Sequence, residues 1–206
     1  MSMSVEQFLS LSDAEQLQTI KDLNDIGQEE IIIDVLTGVG IDNLSVPLLG
    51  ELGRAYNNND KPEEAIKVFK AIDKKYRDAV WHYRCAYSYG SIVSSNREAY
   101  ASENMQQMLA LLDSGVQLAT KENRNDIREY CFEVMDMCRL QMDFEKCEVD
   151  YPDLCLNYSK YIAEKKKKRE GVPRQRTITV EEILATDDMW TINEPAYWTI
   201  NIYGSY

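Results

Sequence analysis

Histidine occurs once in the 206 residues, at His82, and that scarcity removes much of hydrolytic and metal chemistry at the outset. A Ser, Thr or Cys nucleophile needs a base beside it, and His82 has neither a second histidine nor a C-x-x-C pair at zinc-ligand spacing. The chain also lacks a phosphate-cradling G-x-x-x-x-G-K-[ST] loop, a G-x-G-x-x-G turn and an H-E-x-x-H helix. Acidic pairs such as Glu63-Glu64 and Asp187-Asp188 read as solvated positions, so neither an enzyme nor a bound cofactor or metal is expected. His82 stands among aromatic residues and fits helix packing.

Long apolar runs are equally absent. No stretch approaches the roughly 18 apolar residues of a membrane span, and the first twenty residues have no basic start followed by an apolar core. A soluble, cytoplasmic protein is the expectation. The five cysteines, Cys85, Cys131, Cys138, Cys147 and Cys155, are an odd number, which argues against a disulfide framework and for a reducing compartment. Cys131 and Cys138 are seven apart and share a helical face, where thiols act as small hydrophobes.

Positive charge is in short supply only in part of the chain. Residues 1–150 hold 27 acidic and 15 basic side chains, whereas 151–206 hold 8 of each, so the whole formal charge of −12 lies in the first part. Such a body argues against direct binding to a nucleic-acid backbone, which depends on cations replacing condensed counterions. It remains compatible with a basic protein partner.

What is present is helical. Ser4-Val-Glu-Gln7 and Ser12-Asp-Ala-Glu15 fit capping boxes and predict helices over about 5–10 and 13–26. The run Glu29–Leu36, with Ile31, Ile32, Ile33, Val35 and Leu36, is ambiguous between strand and buried helix by period, and its helical neighbours favour the helix. From Pro47 onward Leu49, Leu52-Gly53 and Tyr56 lead into a polar turn at Asn57–Pro62, after which Ala65, Phe69 and Ile72 recur at helical spacing.

A second, degenerate copy starts at Trp81-His-Tyr-Arg-Cys85-Ala86 with Tyr89 and a turn at Ser94-Ser-Asn96. In its partner, Ala110, Leu111, Leu112 and Leu118 fit only after an insertion. Ile127, Tyr130, Cys131, Val134, Met135 and Cys138 then form an apolar stripe within 126–142. Leu154, Tyr158, Tyr161 and Ile162 suggest a capping helix that ends at Lys165–Arg169. That basic run reads as a solvated helix end, with a docking or nuclear-import signal as the alternative.

The set Leu49, Leu52-Gly53, Tyr56, Ala65 and Phe69 resembles the tetratricopeptide repeat, whose large apolar, Leu-Gly, Tyr, Ala and Phe positions fall at fixed offsets within about 34 residues. The resemblance implies an all-α superhelix of stacked helical hairpins over residues 1–170, with the first helix of each hairpin lining a concave face. By the family's register that face carries Glu51, Arg54, Asn57 and Asn58 from the first repeat and Tyr83, Arg84 and Tyr87 from the second. A scaffold that binds a protein or peptide follows. Some members clamp a peptide's terminal carboxylate with Lys, Asn and Arg; Arg54 and Arg84 are present here and the lysines are not.

Residues 171–206 read as a linker and a short tail rich in Trp, Tyr and Ile, including Trp190, Tyr197, Trp198 and Tyr203. An extended or β conformation suits its composition, and it folds onto the repeats, pairs with a second copy as a homodimer through 173–206, or opens a further domain. The segment Asp187–Tyr203 resembles the opening of a family of acidic helical bacterial domains that includes a DNA-mimic protein. That resemblance implies an alternative role, an acidic regulatory or immunity-type protein that occupies a basic partner by polyanion mimicry.

Overall fold

The computed structural model describes residues 3–170. Among them are ten α-helices and no strand: α1 (Val5–Leu9), α2 (Asp13–Asp25), α3 (Glu29–Val39), α4 (Val46–Asn58), α5 (Pro62–Ala71), α6 (Ala79–Asn96), α7 (Glu103–Lys121), α8 (Asn125–Met137), α9 (Phe144–Asp150) and α10 (Pro152–Glu170). Residues up to Lys166 form one compact unit. The expectations for 171–206, including the tail conformation, the paired dimer and the acidic-domain resemblance, lie outside the described residues.

The caps form where the serines predict them. Gln7 N–H donates to Ser4 Oγ at 3.2 Å while Ser4 N–H donates to Gln7 Oε1 at 2.9 Å. The Glu15 carboxylate accepts from both the backbone N–H and the hydroxyl of Ser12, at 2.9 and 2.6 Å, and these bonds hold its pKa below the usual value. The isoleucine-rich run is helical because Ile32, Val35 and Leu36, at i, i+3 and i+4, are the positions that reach the core.

Helix contacts follow a ladder. α4 touches α2, α3, α5 and α6, and α6 touches α4, α5, α7 and α8. α2, α4 and α6 therefore each pack on the next even-numbered helix as well as on the helix that follows in sequence. The α4–α5 crossing turns on one missing side chain. A Cβ placed on Gly53 would come within 2.5 Å of two atoms of the Phe69 ring, so the ring occupies the volume that any larger residue needs. Ala65 and Leu52 close the same contact, both fully buried. Trp81 then ties α6 to α5 by donating its indole N–H to the Phe69 carbonyl at 2.9 Å.

Several expectations are corrected. Ser94-Ser-Asn96 is the last turn of α6, which ends only where Arg97 adopts φ of 51°. α7 starts at Glu103 in one piece and buries Met105, Met108, Leu109, Leu112, Val116 and Ala119. Of the four residues expected to pack there, Leu112 alone is buried and Ala110 is exposed. α8 stops at Met137, leaving Leu140 exposed beyond it, and the short α9 intervenes before α10. α10 packs on α8 through Phe132, Tyr158 and Tyr161, and Tyr158 Oη donates to Asp136 at 3.0 Å. Over the basic helix end, the Lys165 ammonium lies 4.6 Å from the centre of the Tyr161 ring.

The Gly53–Phe69 contact sets a testable stability difference. Gly53→Ala forces overpacking that costs about 1–3 kcal/mol, more than the ~1 kcal/mol that alanine contributes in a helix interior. Its melting temperature, followed by circular dichroism, is expected to fall by roughly 2–4 °C. Gly50→Ala is the control, because its Cβ would meet nothing closer than Arg84 Nη1 at 3.8 Å; it is expected to melt at or above the wild-type temperature. Equal melting of the two variants would contradict the packing account.

Candidate partner-binding groove

Three helices that touch in sequence, α4, α6 and α8, present side chains at helical spacing to one cavity of about 500 Å³. α4 supplies Arg54, Asn57 and Asn58, at i, i+3 and i+4. α6 supplies Val80, Tyr83, Arg84 and Tyr87, a continuous stripe of the same period. The start of α8 closes the far wall with Arg124, Asp126, Ile127 and Tyr130. Six of the seven residues placed on the concave strip by repeat register thus line a single groove.

Glu51 is the exception. It is 6% exposed and points beneath the strip, where its carboxylate accepts from Asn24 Nδ2 at 2.9 Å and from Arg84 Nη1 at 3.1 Å, with Arg54 Nη1 at 3.6 Å. The correction has a physical reason: a carboxylate leaves water only when cations and donors surround it, and three converge here. Glu51 also borders a second cavity of about 290 Å³ with Gly50, Phe69 and Trp81. Val80 and Arg84 line both cavities, so the two adjoin.

The groove's polar groups are held from behind. Arg84 Nη1 also donates to the Gly50 carbonyl at 3.1 Å, across 34 residues of sequence. Asn57 Nδ2 donates to the Arg84 carbonyl at 3.0 Å and its Oδ1 accepts from Ser88 Oγ at 2.7 Å. Arg54 donates to Asp25 at 2.9 Å. Arg124 and Asp126 form a two-pronged pair, at 3.0 and 2.8 Å. That pair raises the guanidinium's pKa and lowers the carboxyl's. Each of the three guanidinium groups lining the groove is therefore bonded to a carboxylate, Arg84 to the buried Glu51 and Arg54 and Arg124 to exposed partners; Arg84, the most enclosed, has the least rotamer freedom left to lose on binding.

The apolar floor is aromatic. Tyr83 and Tyr130 stack with centroids 5.3 Å apart and planes 27° from parallel. Burial is the main cause that pushes the Tyr83 phenol above its ordinary pKa, helped by Tyr87, Tyr130 and Glu133 against the opposing Arg84; it stays a hydrogen-bond donor at neutral pH. Tyr130 is 44% exposed. Its spacing with Cys131 and Val134 reads as core, but at the first turns of α8 that side of the helix meets α6 across open space.

His82 Nδ1 lies 2.8 Å from the Asp78 carbonyl and its ring edge packs on Trp81. Burial pushes the thiols of Cys85 and Cys131 up to about 12 and that of Cys138 up to about 11, so these three are protonated at neutral pH. Among the described residues no group of three or more His, Cys, Asp or Glu side chains could hold a metal ion, and no helix is long and apolar enough to cross a membrane. The chain matches no protein-family model, no curated protein and no solved structure.

Removing the Glu51 carboxylate tests the bridge beneath the groove. Glu51→Leu leaves Arg84 without its buried carboxylate partner and Asn24 Nδ2 with only the backbone carbonyl of residue 51 at 3.2 Å, at an expected cost of about 2–4 kcal/mol in chemical denaturation. The double variant Glu51→Leu, Arg84→Met removes both charges and is expected to recover much of that loss. A single variant within about 0.5 kcal/mol of the wild type would show that the pair does not hold α4 to α6.

Proposed function

We propose that the chain is a binding scaffold that holds a segment of another protein in the groove between α4, α6 and α8. The observation that carries this reading is the joining of three guanidinium groups to a stacked tyrosine pair in one open cavity. Arginine and tyrosine dominate the energetics of protein interfaces because they combine flat apolar area with directed hydrogen bonds. The lining offers donors from Arg54, Arg84, Arg124 and Asn58, and apolar area from Val80, Tyr83, Tyr87, Ile127 and Tyr130. It suits a segment with an aromatic or aliphatic anchor flanked by carbonyl or carboxylate acceptors.

The tetratricopeptide resemblance supports the same reading. It assigns the groove side to α4 and α6, the first helices of the hairpins α4–α5 and α6–α7, and a concave superhelical surface is how such repeats bind. The 34-residue separation of the Gly50–Arg84 bond agrees with one repeat period. A second reading draws on the formal charge of −12, that of a polyanion mimic which occupies a basic protein.

A random peptide display library screened against the full chain separates these. Groove binding is expected to enrich anchor-plus-acceptor peptides whose affinity falls about tenfold or more in Tyr87→Ala, while the variant melts like the wild type because Tyr87 is only half-buried. Enrichment of Lys- and Arg-rich peptides that bind Tyr87→Ala equally and are released by modest salt would favour mimicry and set the groove aside.

A further inference from the structure

The short helix α9 is attached to the body in an unusual way. Of its seven residues Cys147 alone is buried, fully so, while Val149 is 80% exposed. A single helix of that length does not hold itself together in water, so its order comes from tertiary contacts. Those are the stack of Phe144 on Tyr158 at 6.0 Å, the bond from Tyr100 Oη to Asp150 at 3.0 Å, and whatever Cys147 meets. What Cys147 meets is another thiol: its Sγ lies 2.6 Å from Sγ of Cys155, on the first turns of α10 and also buried. The other three cysteines have different surroundings. Cys138 donates to the Gly90 carbonyl, Cys131 fills the space beside Gly115, and Cys85 lies in the apolar core.

The geometry points to Cys147 and Cys155 as a dithiol that closes to an intramolecular disulfide in the presence of a disulfide oxidant, fastening α9 to α10. The two side chains already face each other across the Tyr151 turn, which is closed by Tyr151 N–H to Cys147 O at 2.7 Å and Cys155 N–H to Tyr151 O at 3.0 Å. Burial pushes both thiols above their ordinary pKa, so they are unreactive while α9 is docked. Local opening of α9, with its few buried contacts, exposes them without unfolding the rest.

The chemistry is thiol–disulfide exchange. In the open state one cysteine thiolate attacks a sulfur of glutathione disulfide, whose S–S bond breaks as a mixed disulfide forms and one glutathione thiolate leaves. The second cysteine thiolate then attacks the protein-side sulfur, forming the Cys147–Cys155 bond and expelling the second glutathione. The protein gives up two protons and two electrons, and one glutathione disulfide becomes two glutathiones.

The test is to equilibrate the full chain with mixtures of glutathione and glutathione disulfide, quench with acid, and map the thiols by mass spectrometry of a non-reducing digest. The expected product is two hydrogens lighter, carries one linkage joining Cys147 to Cys155, and reverts with dithiothreitol. It is also expected to melt at a higher temperature than the dithiol form, because the cross-link restrains the unfolded chain. Cys147→Ser and Cys155→Ser should each abolish the linkage. Any other pairing, glutathione adducts that persist at either position, or five alkylatable thiols at the most oxidising ratio would overturn the inference. A linked form with unchanged melting would overturn the fastening role.

Discussion

A buried carboxylate organises the inner face of this helical body. Glu51 sits where α2, α4 and α6 meet and answers to Asn24 on one neighbour and Arg84 on the other, while Arg54 approaches from its own helix. Apolar packing alone leaves the rotation of a helix about its axis weakly specified, because several rotations bury similar area. A carboxylate that must find its donors does not tolerate such freedom, since an unpaired buried charge costs several kcal/mol. Rotating α4 by one residue's angle would strand Glu51 and Arg84 together. The groove side chains Arg54, Asn57 and Asn58 are on the same helix, so their direction is set by the same bond.

The opposite side of α4 is constrained by volume rather than charge. Gly53 leaves a hollow that the Phe69 ring fills, with Ala65 at the same crossing. The two constraints act on different faces of one helix and through different physics, one directional and short-ranged, the other steric. Together they leave α4 little room to shift. α8 is braced differently, through aromatic contacts and the Tyr158–Asp136 bond from α10. The far wall of the groove therefore depends on the part of the chain that includes α9 and α10.

Much of the fold was legible from residue order, and the gaps have identifiable causes. Small-residue positions and their aromatic counterparts, Gly53 with Phe69, betray a close helix crossing because few other roles demand that spacing. Serine followed by Gln or Glu at the third position marks helix starts just as directly. The length of α6 was hidden because Ser94, Ser95 and Asn96 are turn formers by composition, while the helix ends where the backbone at Arg97 turns left-handed. α9 gave no periodic signal since one buried thiol has no period. At the candidate site, the register implied by the tetratricopeptide resemblance put Arg54, Asn57, Asn58, Tyr83, Arg84 and Tyr87 on one strip, but a register cannot distinguish a polar residue that faces solvent from one that faces a buried partner, and so it misplaced Glu51. The α8 wall was missed for the converse reason: Tyr130 has core-like spacing and a groove position.

Charge adds a final constraint on what the groove would select on the proposed reading. Over distances beyond the Debye length, about 8 Å at physiological salt, surface charges are screened; inside it an approaching chain meets a strongly acidic body. The guanidinium groups do little to change that field, because Arg54, Arg84 and Arg124 are each bonded to a carboxylate within 3.1 Å. Their effect is confined to contact, where free N–H donors meet acceptors. Approach and recognition thus favour different features. On the proposed reading, basic residues outside the bound stretch would draw a segment to the surface, while the bound stretch itself would have to supply an apolar anchor and the acceptors beside it. A partner that combined both would pass two independent filters, and specificity would arise from their product rather than from either alone.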